Sequence, residues 1–286
     1  HVAALSWTAL TDKDTTVSAV IDLMLSQNVN NGLTALESFY APSVNFLLVD
    51  SEKMVIKTVG KMPKRSPLNE TQGRMPSLGW KPENNWRGYW GYEVNPIIES
   101  SPGDVLANTN NKISDENFPK HVSHFWGDTQ RILRLQKLMQ NREVHTRESF
   151  IEAQLDTVSP TARALLPIVG SELWYSQPMG ELGSEKRLRF DALSMLASWN
   201  GEMSEHLPEP LIYSTWMKFL QKKLINDDLG PISARFNHFN PIFIEKVFRN
   251  IDGASSWCDI KHSSHEETCA EIASKSLDEA LSWLVE

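Results

Sequence analysis

Apolar residues recur along this chain with two different periods, and the change of period divides it into elements. Val17, Val20, Ile21, Met24 and Leu25 fall three or four positions apart. That is helical spacing, and Asp14 or Thr15 stands where an N-cap belongs. A short helix over 33–40 is expected next, ended by Pro42 because the residue before a proline avoids the α region. The period then drops to two. Over 43–50, Val44, Phe46 and Leu48 would line one face of a strand, and Leu47 and Val49 the other. A second strand over 54–59 follows the turn Asp50-Ser51-Glu52-Lys53 and completes a hairpin. One residue breaks the pattern. Asn45 lies inside the first strand, where asparagine is depleted. A buried amide without partners costs about 1–3 kcal/mol.

Residues 61–104 are rich in proline and glycine and carry the run GWKPENNWRGYWGY. Disordered segments are poor in aromatics. The run therefore reads as an ordered loop pinned by Trp80, Trp86, Tyr89 and Trp90, with a further short strand over 105–110. From about residue 125 the helical period takes over. Ile132, Leu133, Leu135 and Leu138 form a stripe, and Ser159-Pro160 is a strong helix start. Further helices are expected over about 187–199, 210–226, 239–250 and 264–285, the last with Ser264 and Glu267 as a capping box. The organisation is α+β: residues 1–110 with the hairpin and the long loop, then a mainly helical segment, 111–286.

Composition narrows the function. The chain has 286 residues, 41% of them apolar and 22% charged, an ordinary globular balance. A net charge of −8 disfavours nucleic acid and anionic membrane surfaces as partners. No apolar run approaches the ~18 residues of a membrane span. The first residue is His1 and no signal peptide is recognisable, so the chain is expected to be a piece of something longer. Cys258 and Cys269 are compatible with a disulfide or with two idle thiols. His262 and His265 between them keep a metal site in view, against a plain solvated helix start. There is no phosphate-binding glycine loop, no HExxH and no G-x-S-x-G elbow.

Seven stretches in order carry a resemblance: SVNFLLVD, GKMPKR, GWKPENNWRGYW, VLANTNN, WGDTQRILRL, EAQLDTVSPTARALLP and LASWNGEM. Together they resemble the β chain of the penicillin acylases, N-terminal-nucleophile hydrolases, over nearly the whole length. The resemblance implies part of an αββα sandwich with a large helical segment. It implies an amide hydrolase that works through an acyl-serine intermediate. The serine, exposed by self-cleavage of a precursor, would use its own α-amine as base. It would lie upstream of His1, and Ser6 and Ser18 have no claim to the role.

The resemblance also assigns residues. Asn45 matches the family asparagine whose amide donates to the oxyanion, and Arg65 the arginine that supports it, within the pattern Asn45, Asp50, Pro63, Arg65. The alternative for Asn45 is a bulge or a neighbouring backbone group to satisfy. Leu47 and Val49, on the asparagine's face, are candidates for lining the acyl pocket, and Phe46 for the core. Most of the tryptophans read as packing residues. The family's acidic calcium ligands lie outside this span, so no metal is assigned here and a structural calcium is left to the complete protein. The implied partners are the remainder of the β chain, an α chain from the same precursor and a small acyl amide, with arylacetyl, dicarboxylic and long aliphatic acyl groups all in use in the family. The implied location is periplasmic, where a Cys258–Cys269 bridge would persist. The chain alone is expected to be inactive. The rival expectation is an inert scaffold or binding module that keeps the fold.

Overall fold

The structure is a computed structural model and describes residues 2–100, 103–114, 123, 126–127, 129–174 and 178–286. His1 and the stretch 124–125 at the expected start of the helical segment lie outside the described residues. The chain forms two compact units, 1–127 and 128–286, so the first extends past the expected boundary at 110.

In the first unit, α1 (Thr16–Met24) and α2 (Val29–Ala35) lead into a 3-10 turn, Leu36–Ser38. The expected helix over 33–40 therefore starts earlier and tightens at its end. Asn28 accepts the N–H of Asn31 as N-cap, and Asp50 of the hairpin accepts the N–H of Val29 at 2.8 Å. A cap supplied from the hairpin starts the helix where local apolar spacing gives no signal. The hairpin forms as expected, from β1 (Val44–Val49) and β2 (Met54–Val59). The third strand of the antiparallel sheet is β3 (Ile97–Glu99), paired to β2. The expected strand over 105–110 does not form. There Asn108 and Asn111 accept the N–H groups of Asn110 and Thr109, both at 3.0 Å, giving the backbone a local alternative to a ladder.

The β1–β2 register pairs Asn45 with Thr58, Phe46 with Lys57, Leu47 with Ile56 and Leu48 with Val55. One face carries Phe46 and Leu48, which pack with Val59 on Ala19, Leu36 and Phe39. The other face carries Asn45, Leu47 and Val49. Gly60, just after β2, has φ +100°, and a Cβ there would lie 2.9 Å from the Ser43 Cα. Only glycine lets the strand ends approach so closely. The loop beyond is held by backbone: Trp90 N–H to Met62 O at 2.9 Å and Lys64 N–H to Gly88 O at 2.9 Å. Trp86 and Tyr40 both contact Tyr89 edge to face. Trp80, expected among the pins, is instead 78% exposed.

The second unit is helical. Its elements are α3 (Gln130–Gln140), α4 (Arg147–Gln154), α5 (Pro160–Val169), α6 (Glu185–Ser198), α7 (Glu209–Leu229), α8 (Pro241–Phe248) and α9 (Cys269–Val285). Buried residues of α7 wrap most of its circumference, from Ile212 and Tyr213 to Leu224 and Ile225, which makes it the central helix. Trp216 on α7 is fully buried, and its indole N–H donates to Ala273 O at 3.0 Å and to Ser276 Oγ at 3.2 Å on α9.

The last helix starts at Cys269, not near Ser264. Its capping box is Thr268 with Glu271. Glu267, assigned to a box by spacing alone, is buried and anchors the preceding loop. Its carboxylate accepts from Ile260 N–H and Ser263 Oγ, both at 3.0 Å, and pairs with Lys275 at 3.2 Å. A disulfide joins Cys258 to Cys269 with Cα atoms 5.0 Å apart. Both thiols are thereby used, so neither is a metal ligand.

Candidate active site

Asn45 sits in β1 with its side chain directly across from Thr58 of β2. The Thr58 hydroxyl donates to Asn45 Oδ1 at 2.7 Å. Asn45 Nδ2 faces Asn108 Oδ1 at 3.4 Å, a long contact for a hydrogen bond. The two ends of the amide are thus held unequally. Its oxygen is committed to a short bond from a buried hydroxyl, and Thr58 is 4% exposed. Its nitrogen is the lightly held donor end. A fixed amide N–H on a packed strand is the kind of group that stabilises a developing oxyanion.

Leu47 and Val49 share this face and are 56% and 65% exposed, beside the buried Ile56. On the opposite face Lys57 is buried, and its ammonium donates to Tyr92 O at 3.1 Å and Asn95 O at 2.7 Å, 4.4 Å from the Tyr92 ring centre. Burial lowers the pKa of this lysine, and it pushes the Tyr92 hydroxyl up to about 12, with Glu37 adding to the effect. These groups lie on the face of Phe46, opposite Asn45.

Arg65 follows β2 in the loop. Its guanidinium stacks on Gly73, where a Cβ would come within 2.7 Å of Nη2, and lies 5.9 Å from the Trp86 ring centre. Burial lowers its pKa. Among the described residues no hydrogen bond or ion pair joins Arg65 to Asn45. Asp50 serves the hairpin turn, accepting Glu52 N–H at 2.8 Å and Lys53 N–H at 2.9 Å, and these bonds with that from Val29 lower its pKa.

Thr58 and Asn108 were not singled out from sequence. The signal for Thr58 was the hairpin register, which makes it the cross-strand neighbour of the anomalous asparagine. Asn108 stands in the stretch VLANTNN, but nothing local marks it as a neighbour of Asn45. In the second unit a cavity of about 400 Å³ lies between Arg163, Leu166, Trp174, Leu196 and Trp199, and among the described residues its lining carries one charged side chain and no acid–base pair. Among the described residues no group of three or more His, Cys, Asp or Glu side chains could hold a metal, and no helix is long and apolar enough to cross a membrane.

The fold matches a solved structure, a thermostable penicillin G acylase from Alcaligenes faecalis, with a TM-score of 0.70 over 94% of this chain and 51% of that one, at 17% identity. The class is therefore α+β with an N-terminal-nucleophile hydrolase fold. The sequence profile of the penicillin amidase family matches residues 1–286, and the chain belongs to that family. Similar curated proteins include the acyl-homoserine lactone acylase QuiP of Pseudomonas putida, 25% identical over 77% of this chain and 27% of that protein. The QuiP of Pseudomonas syringae pv. tomato is 22% identical over 91% of this chain and 32% of that protein. The penicillin acylase 2 proenzyme of Pseudomonas sp. SE83 is 24% identical over 57% of this chain and 19% of that protein. The chain thus spans between about a fifth and a third of the length of these relatives.

Proposed function

We propose that the protein carrying this chain is an amide hydrolase that removes an acyl group from an amine, and that Asn45 donates to the oxyanion. The observation that carries this reading is the Asn45 amide, fixed through its oxygen by Thr58 in a chain of the penicillin amidase family. In the mechanism, a serine at a processed chain start attacks the amide carbonyl and passes its proton to its own α-amine. The carbonyl oxygen becomes an anion and accepts a hydrogen bond from the Asn45 N–H. Collapse expels the amine, now protonated, and leaves an acyl-serine. Water then attacks the ester through the same arrangement and frees the acid. Leu47 and Val49 form part of the apolar rim against which the acyl group lies. Arg65 supports the polar end of the site.

The serine and a second oxyanion donor come from the remainder of the β chain, which assembles with an α chain from the same precursor. Export to the periplasm accords with the Cys258–Cys269 bridge. The similar proteins named acyl-homoserine lactone acylases make N-acyl homoserine lactones the first substrates to assay, with penicillins for comparison.

The test is steady-state kinetics of the complete protein. Asn45→Ala is expected to lower kcat by about 10²–10³, the usual loss for one oxyanion donor. KM should change little, because the ground-state carbonyl gains less from the donor. A tenfold or smaller loss in a folded variant removes Asn45 from the site. No release of amine from any acyl amide, together with a single unprocessed chain by intact mass, favours an inert scaffold.

A further inference from the structure

Resting on the amide-hydrolase reading above, we infer that Thr58 is a positioning residue for the reaction: its hydroxyl selects which end of the Asn45 amide faces the substrate. A primary amide has two ends of nearly equal size and opposite hydrogen-bonding character. Turned by 180°, Asn45 would present a carbonyl oxygen to the oxyanion and repel it. Something must set the orientation before substrate arrives, because reorganisation during the reaction forfeits the benefit of a fixed donor.

Three features let Thr58 do this. It is the direct cross-strand partner of Asn45, so the ladder fixes the distance between the two side chains. Its hydroxyl lies 2.7 Å from Asn45 Oδ1. It is almost wholly buried, so water does not compete for the bond. Asn108 supports the same orientation from the other end. Its Oδ1 accepts the Asn110 N–H at 3.0 Å and faces Asn45 Nδ2 at 3.4 Å. The Asn108 oxygen is therefore already occupied by a shorter bond and holds the Asn45 N–H loosely. One N–H of Asn45 rests on Asn108, and the second is left for the oxyanion. Asn45 thus acts on the substrate, and Thr58 acts only through Asn45.

The experiment is a double-mutant cycle in the complete enzyme, read as kcat and KM. Thr58→Val keeps the shape and removes the hydroxyl. It is expected to lower kcat by about 10- to 100-fold, as a misplaced catalytic group does, with KM nearly constant. Thr58→Ser, which restores the hydroxyl, should recover most of that loss. Added to Asn45→Ala, Thr58→Val should lower kcat no further, because the group it positions is already gone. Should Thr58→Val fail to fold, Thr58→Ala with Thr58→Ser gives the same comparison. If Asn45→Ala loses activity while Thr58→Val keeps kcat within twofold, the positioning role is overturned and the oxyanion role stands. A Thr58→Val loss that persists undiminished in the Asn45→Ala background also overturns it, since Thr58 would then act by another route. If Asn45→Ala itself keeps full kcat, the underlying reading of the site fails first.

Discussion

Asp50 shows how a single carboxylate can serve two elements. It closes the β1–β2 turn through Glu52 and Lys53 N–H and caps α2 through Val29 N–H. Hydrogen bonds to the charged form lower its pKa, the bond from Val29 contributing most. The sign follows from the direction. A carboxyl with a depressed folded pKa stabilises the fold above its unfolded value of about 3.9, and the contribution is lost as pH falls through the lower folded value. Asp50→Asn is therefore expected to melt below the wild type at pH 7, with the gap narrowing towards pH 3. Thermal unfolding at the two pH values checks this, and a gap independent of pH would rule out the charge as its cause. Asn45 belongs to the same scale. The Thr58 hydroxyl satisfies its amide oxygen, so only the N–H end of this polar interruption of a strand is lightly held.

At the scale of elements, α9 is fastened firmly at its start. Three independent devices hold its start: the Thr268–Glu271 capping box, the Glu267 loop anchor and the Cys258–Cys269 bridge. Thr268→Ala should cost about 1 kcal/mol, the typical value of an N-cap. The bridge joins cysteines 11 residues apart, so replacing both by alanine should cost about 2–3 kcal/mol on the chain-entropy model. Urea unfolding of the oxidised chain and the two variants measures both, and freely alkylatable thiols in exported protein would show that the bridge is not formed. Further along, α9 packs on α7 through Trp216, which is fully buried and hydrogen-bonded at its indole nitrogen. Trp216→Ala should destabilise the helical unit by about 3–5 kcal/mol. A loss below 1 kcal/mol would mean that the α7–α9 contact is not central to it.

At the scale of the molecule, the candidate chemistry and the largest core belong to different units. Asn45, Thr58 and Asn108 lie in the first, and the helical core built on α7 and α9 in the second. Neither hydrogen-bonded neighbour of Asn45 is a base that titrates near neutral pH. A donor to an oxyanion needs an attacking group before it can accelerate anything. The 286-residue chain by itself is therefore expected to hydrolyse no acyl amide. Turnover above a matched blank would place the nucleophile within these residues and require a different alignment of the chain with its family.

What the sequence determined by itself was periodic or local. Alternation over 43–50 and 54–59 is enough to write the hairpin, because strand side chains must alternate faces whatever lies around them. Ser159-Pro160 is enough to start α5, because the proline ring and the capping hydroxyl act within one turn. Asn45 stood out for the same reason: it breaks a local rule. The tertiary structure decided every choice among competing polar partners. Ser264 and Glu267 had the spacing of a cap, but Glu267 gains more from the Ile260 N–H, Ser263 and Lys275, so the helix begins at Cys269. The asparagines of VLANTNN bind their own backbone instead of joining the sheet, and the third strand falls to Ile97–Glu99. Thr58 could be reached from the hairpin register, but the placement of Asn108, 63 residues from Asn45, could not. A period reports which way a side chain points, and only the folded chain brings it the atom it meets.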